Sequence, residues 1–215
     1  MPSHAITEYI PQSGRLDEVF GTIYQVNKWG STETRSGTGS EHERVRWLQC
    51  SLVFLLARLE VRSLLDAPCG DSNWMSQVDL SGMDYLGADI VADLVEVDNA
   101  RYGGPGRRFI VADITADPLP RVDLVLCRDG MVHFCDTHVH QALANFARSG
   151  STYLLATTYA GTKDNVDITS GWWRPVNLCR PPFNLPPPLL QLPDAASDDF
   201  YPEKALALWR IADLV

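Results

Sequence analysis

The sequence predicts an α/β protein, a Rossmann-like, mostly parallel sheet with helices on both faces. Three observations carry this. Five short apolar runs read as strands: SLLDA (63–67), DYLGAD (84–89), RFIVAD (108–113), VDLVLC (122–127) and TYLLATTY (152–159). Helical stretches at 72–79, 92–100 and 136–148 lie between most of them, and such alternation builds parallel sheets covered on both sides. LLQL (189–192) and KALALWRI (204–211) then read as a closing antiparallel pair.

In chain order, a first helix is expected at 15–28, with Leu16, Val19, Phe20, Ile23 and Tyr24 at helical spacing. A polar loop, Gly30 to Ser40, follows. Ser40 and Glu43 have the spacing of a capping box, and a helix at about 41–59 turns Val45, Leu48, Leu52, Leu55, Leu56 and Leu59 to one side. The reading is one domain of 215 residues: a helical lid segment (1–60), a core (61–160) and a last segment (161–215) with an acceptor loop and closing strands. RPPFNLPPP (180–188) must be extended or looped, because proline disrupts helix interiors.

Net charge is -9 and the pI about 4.9. Nucleic-acid binders usually carry a basic surface, so RNA or DNA is not expected as partner. The five cysteines form no CxxC pair, which argues for reduced thiols in a cytoplasmic protein. The N-terminus lacks a secretory pattern. The longest strongly apolar run, Leu52 to Ala57, is too short for a membrane span.

In open sheets of this class, ligands bind beyond the carboxyl ends of the strands, at the switch point of strand order. The first expected strand runs into Asp66-Ala-Pro-Cys-Gly-Asp71, and Gly70 permits close backbone approach. The second ends at Asp89, where a carboxylate can accept two hydrogen bonds from a ribose diol. The third ends at Asp113, within reach of an adenine amino group. The fourth ends Cys127-Arg-Asp-Gly130. Each acid alone is equally a turn or cap residue; three in order are a stronger signal.

VRSLLDAPCGDSNWM, YLGADIV, RRFIVADIT and VDLVLCRDGMVHF resemble motifs one to four of the class I methyltransferases. The resemblance implies a seven-stranded sheet ordered 3-2-1-4-5-7-6 and S-adenosylmethionine as cofactor. It implies Asp66, Ala67, Pro68, Cys69 and Gly70 at the amino-acid part of the donor, and Asp89 and Ile90 at the ribose. It also implies Asp113 and Ile114 at the adenine, and Cys127 and Arg128 near the sulfonium. The first motif departs from acid-x-Gly-x-Gly-x-Gly, with Pro68 and Ser72 in place of two glycines, so that loop differs in detail and Trp74 is expected against the donor. A nicotinamide enzyme is disfavoured, for the GxGxxG turn is absent.

IYQVNKWGSTETRSGTGS, SGWWRPVNLCRPPFNLPPP and ALALWRI resemble small bacterial sugar O-methyltransferases. That implies a sugar acceptor, a homodimer, and an N-terminal segment closing on the donor through Trp29 and Ser31.

A sugar hydroxyl is a weak nucleophile and profits from a general base. His133 is the candidate base, with Asp129 orienting it from one helical turn away. A second use of the pair is holding a divalent cation such as Mg2+. Tyr24, Tyr159, Trp172 and Trp173 are candidate sugar-stacking surfaces, with Arg174, Asn177 and Asn184 as hydrogen-bond partners. Adjacent Trp172 and Trp173 can hardly both be buried. Methylation of another metabolite, and a nucleoside-binding module without catalysis, are the competing readings.

Overall fold

The computed structural model describes residues 14–194 and 200–214. Its elements are α1 (Leu16–Gln25), α2 (His42–Arg58), β1 (Ser63–Asp66), β2 (Asp84–Asp89), α3 (Ala92–Tyr102), β3 (Arg107–Val111), β4 (Leu124–Cys127), α4 (Asp136–Arg148), β5 (Tyr153–Tyr159), β6 (Leu190–Pro193) and β7 (Lys204–Arg210). They form one seven-stranded sheet ordered β3-β2-β1-β4-β5-β7-β6. Strands β1 to β5 are mutually parallel where paired, and β7 runs antiparallel to both neighbours.

Strand side chains alternate between two cores, as the two-residue period requires. Leu64, Leu124, Leu126, Leu155, Leu206 and Leu208 face α2 and α3. Leu65, Val125, Leu154, Ala156, Ala207 and Trp209 face α4. Both faces of β4 are covered, so all four of its residues are buried, which explains a continuous apolar run.

Two expectations fail. Residues 72–79 hold only a 3-10 turn at Met75–Gln77. Ser72 sits at φ +50, outside right-handed helix space, and Val78 is extended. The capping box also does not form: α2 starts after Glu41 with no side-chain cap. The Ser40 hydroxyl instead accepts a hydrogen bond from Arg128 at 3.1 Å. No described helix is long and apolar enough to cross a membrane.

Candidate active site

The order β3-β2-β1-β4 places the switch point between β1 and β4. A cleft with about 980 Å³ of free space, its open mouth included, lies over their carboxyl ends. Asp66, Pro68, Cys69, Gly70 and Trp74 line it from the β1 loop, Asp89 and Ile90 from β2, Asp113 and Ile114 after β3, and Arg128, Asp129 and His133 after β4. Ala67 and Cys127 are buried beneath the cleft and do not line it.

The acids differ in how they are held. Asp89 accepts the backbone N–H groups of Gly70 (3.1 Å) and Val91 (3.0 Å), which fixes its carboxylate at the floor. Burial pushes its pKa up. Asp66 accepts the Tyr85 hydroxyl at 2.8 Å. Burial outweighs that bond and the nearby Arg128 charge, and raises Asp66 to about 7. Asp113 spends Oδ1 on the backbone and hydroxyl of Thr115, a turn role, while still reaching the cleft.

The N-terminal segment covers this cleft with Leu16, Phe20, Ile23, Tyr24, Trp29, Arg35, Ser36 and Ser40. Asp71 draws it down: its carboxylate accepts the Thr34 hydroxyl, the Arg35 N–H and the Ser36 hydroxyl. Gly70 is needed there on two counts. It adopts φ +56, and a Cβ would stand 2.2 Å from Ser36 Oγ. Ser31 is corrected from a donor contact to an internal brace: it is buried, donates to Glu41 at 2.7 Å and receives the N–H of Glu33.

A second cleft adjoins the first. Trp29, Ser36, Asp129 and His133 line both; Tyr159, Trp173, Tyr201, Arg44, Asp194 and Lys204 line the second alone. Tyr159, Trp173 and Tyr201 pack mutually, with ring centroids 5.4–6.0 Å apart. Trp172 and Trp173 are both partly exposed, 41% and 43%. Trp172 lines neither cleft with its side chain. Arg174 and Asn177 are corrected too: both are buried away from the clefts. Arg174 pairs with Asp136 at 2.7 Å, and Asn177 donates to the carbonyls of Ala160 and Thr162. Asn184 is exposed and donates to the Pro182 carbonyl.

His133 stands where the clefts meet. Its Nδ1 lies 2.9 Å from the Trp172 carbonyl. A carbonyl only accepts, so Nδ1 carries a proton, and in the neutral ring the lone pair is then on Nε2. Trp29 stacks on the ring at 4.2 Å. Lys28 donates to the Gly171 carbonyl at 2.9 Å and lies over the rings of Trp172 and Trp29. Burial lowers the His133 pKa to about 4, helped by the charges of Lys28 and Lys204 against Asp129. The imidazole is therefore neutral at pH 7.

Asp129 does not orient His133. It adopts φ +53, so the two do not share a helical turn. Its Oδ2 accepts from Lys204 at 2.8 Å and lies 3.5 Å from Arg128. Burial opposes ionisation, but these two cations hold the carboxyl well below the usual range. Asp194, absent from the sequence reading, completes the network: it accepts from Arg128 at 3.0 and 2.9 Å and pairs with Lys204 at 3.1 Å. Arg128 also donates to the Gly39 carbonyl, tying the lid to the site. Two buried cations thus face two acids. The signal for Asp194 was Arg128 itself, since a charged residue ending a buried strand requires a counter-ion. Mg2+ finds no natural seat here: Asp129 already faces two cations, and among the described residues no group of three or more His, Cys, Asp or Glu side chains gathers.

The first cleft fits an adenosyl sulfonium. Asp89 is placed to accept hydrogen bonds from a ribose diol, and apolar Ile90, Val91, Leu94, Ala112 and Ile114 form a wall that suits a flat base.

Residues 64–150 match the family model described as a methyltransferase domain. No curated protein matches the chain significantly. Similar solved structures include magnesium protoporphyrin IX methyltransferase from Synechocystis PCC 6803, 15% identical over 67% of this chain and 69% of that chain, TM-score 0.49. Another is a TehB-like SAM-dependent methyltransferase from Corynebacterium glutamicum, 19% identical over 79% and 96%, TM-score 0.49. With the methyltransferase-domain match lying over the strands that build the donor cleft, this protein is an enzyme, a methyltransferase that uses S-adenosylmethionine.

Proposed function

We propose that the enzyme methylates a hydroxyl group of a small sugar, with His133 as general base. The observation that carries this is an imidazole held through Nδ1 by the Trp172 carbonyl at the junction of the two clefts.

When bound, S-adenosylmethionine supplies an already activated methyl group. Asp89 would hold its ribose, Ile90 and Ile114 its adenine, and Asp66 the amino-acid end. What remains for the chain is alignment and one proton. Alignment is worth up to about 7–11 kcal/mol of the barrier. His133 Nε2 accepts the acceptor's hydroxyl proton as its oxygen attacks, which contributes about 10²–10⁴-fold. Asp129, ionised beside the ring, stabilises the resulting imidazolium.

The second cleft favours a sugar because its aromatic wall offers faces for pyranose C–H groups while its charges balance, which suits a neutral acceptor. The narrower reading is the 1-OH of a methylated mannoside in methylmannose polysaccharide biosynthesis, in the cytoplasm. It rests on the resemblance of residues 23–40, 170–188 and 205–211 to that type of enzyme. A turnover screen against saccharides, including partly methylated mannosides, tests it. A methyl ether on a sugar hydroxyl is expected; turnover confined to non-saccharides would refute the acceptor assignment.

A further inference from the structure

Cys135, His138 and Ser170 meet where α4 begins, and none of them lines either cleft. Cys135 Sγ lies 3.3 Å from His138 Nδ1, and the same nitrogen lies 2.7 Å from Ser170 Oγ. The Cys135 N–H donates to Ser170 Oγ at 2.9 Å. The i, i+3 spacing at the helix start brings the imidazole to the sulfur.

Three chemical features coincide at this thiol. It is partly exposed, so a small reagent reaches it. An imidazole nitrogen stands within reach of its proton. Cys135 also immediately precedes α4, where the partial positive charge of the helix end favours negative charge on sulfur as the proton leaves. The two neighbouring acids both face a cation: Arg174 pairs with Asp136 at 2.7 Å and stands 3.9 Å from Asp167. The other thiols are placed differently. Cys69 and Cys127 are buried, Cys50 is exposed on α2, and partly exposed Cys179 donates to the Pro186 carbonyl.

The cluster is tied to His133. Residues 170–174 lie on the turn 132–135 through Ser170 and Cys135, through the Gly171 N–H on the His133 carbonyl (2.8 Å), and through the Arg174 N–H on the Val132 carbonyl (3.0 Å). Between these bonds Trp172 presents the carbonyl that holds His133 Nδ1. An oxygen added to Cys135 Sγ competes for the space and the hydrogen bonds of buried Ser170.

We propose that Cys135 is an oxidative modification site: a hydroperoxide converts its thiol to a sulfenic acid, which displaces residues 170–174 and releases His133 from the Trp172 carbonyl. The sulfur attacks one peroxide oxygen and the O–O bond breaks. His138 passes the thiol proton to the departing oxygen. Thiol and hydroperoxide thus give sulfenic acid and alcohol, or water from hydrogen peroxide. Sulfur is oxidised and the peroxide reduced by one electron pair.

Hydrogen peroxide treatment of the full chain, with a dimedone trap and peptide mass spectrometry, tests it. The trapped sulfenic acid should form on Cys135 about tenfold or more faster than on Cys50 or Cys179 of the same molecule, a comparison that needs no variant. His138→Gln should slow Cys135 about tenfold or more and leave Cys50 unchanged. In the histidine side-chain NMR spectrum, oxidation should shift the ring signals of His133 along with those of His138, dithiothreitol should reverse the shift, and Cys135→Ser should abolish it. No methyl acceptor enters these readouts, so failure of the saccharide assignment leaves them intact. Cys50 or Cys179 reacting as fast as Cys135 overturns the proposal. So does a Cys135 rate indifferent to His138, or a His133 signal that stays in place once Cys135 is oxidised.

Discussion

The first cleft, proposed for the donor, and the second, proposed for the acceptor, share His133 but are built in opposite ways. The donor cleft is assembled locally. Asp66, Gly70, Asp89 and Asp113 lie at successive strand ends, and Asp89 is pinned by backbone N–H groups of its own neighbourhood. The acceptor cleft is assembled at long range. Lys204 opens β7, Asp194 follows β6, Asp129 follows β4, and the peptide that orients His133 comes from Trp172. A site made of strand ends needs only the sheet; one made of ion pairs across the chain needs every partner in place.

Removing the shared residue has the largest expected effect. His133→Ala should cut turnover by about 10²–10⁴-fold while leaving S-adenosylhomocysteine affinity within about twofold, measured by steady-state kinetics and calorimetry. A loss of donor affinity would place His133 on the donor side alone.

Next comes the long-range network. Asp194→Ala leaves Arg128 and Lys204 with one acid between them. Breaking a buried pair costs about 3–5 kcal/mol, so urea unfolding should register a loss of that order. A loss below about 1 kcal/mol would mean water already reaches the network.

The donor side is tested by Gly70→Ala. Left-handed backbone costs a non-glycine residue about 1–2 kcal/mol, and the new methyl would displace Ser36 from Asp71. Donor affinity should fall about 5–30-fold, with thermal stability only modestly lowered. Unchanged donor affinity would show that the lid moves freely.

The smallest effect concerns pH. His133 is pushed below its ordinary value, so it is neutral and basic above about 4. Activity should be lost as pH falls through about 4, and not through the ~6.5 of a free histidine. Lys28→Met removes one of the cations that favour the neutral ring, so the acid limb should move upward, and Lys28→Arg should return it. An acid limb that ignores Lys28 would assign that residue to loop packing only.

The same contrast explains what the sequence discloses. The strands, most of the helices between them and the acids at the strand ends are legible because each depends on periodicity and position within a few residues; the strand order is implied only by the resemblance of the motifs. Pro68 and Ser72 signal an atypical first loop, but the helix expected at 72–79 does not form, because Ser72 takes a left-handed φ. The acceptor side is less legible. Nothing local distinguishes Asp194 from a turn aspartate, or Lys204 from a surface lysine at a strand start. Arg174 and Asn177 stand near two tryptophans in the sequence, which suggests a ligand role. The fold uses both to satisfy buried carbonyls, the commoner fate of a buried polar side chain. Asp129 and His133 are four residues apart, but a positive φ at Asp129 sends them to different partners.

The central claim is that the locally built cleft holds the methyl donor. Calorimetric titration of S-adenosylhomocysteine into wild-type, His133→Ala and Asp89→Ala protein tests it most directly. Comparable binding to the first two and at least tenfold weaker binding to Asp89→Ala is the predicted result. Equal affinity for all three would place the methyl donor outside this cleft.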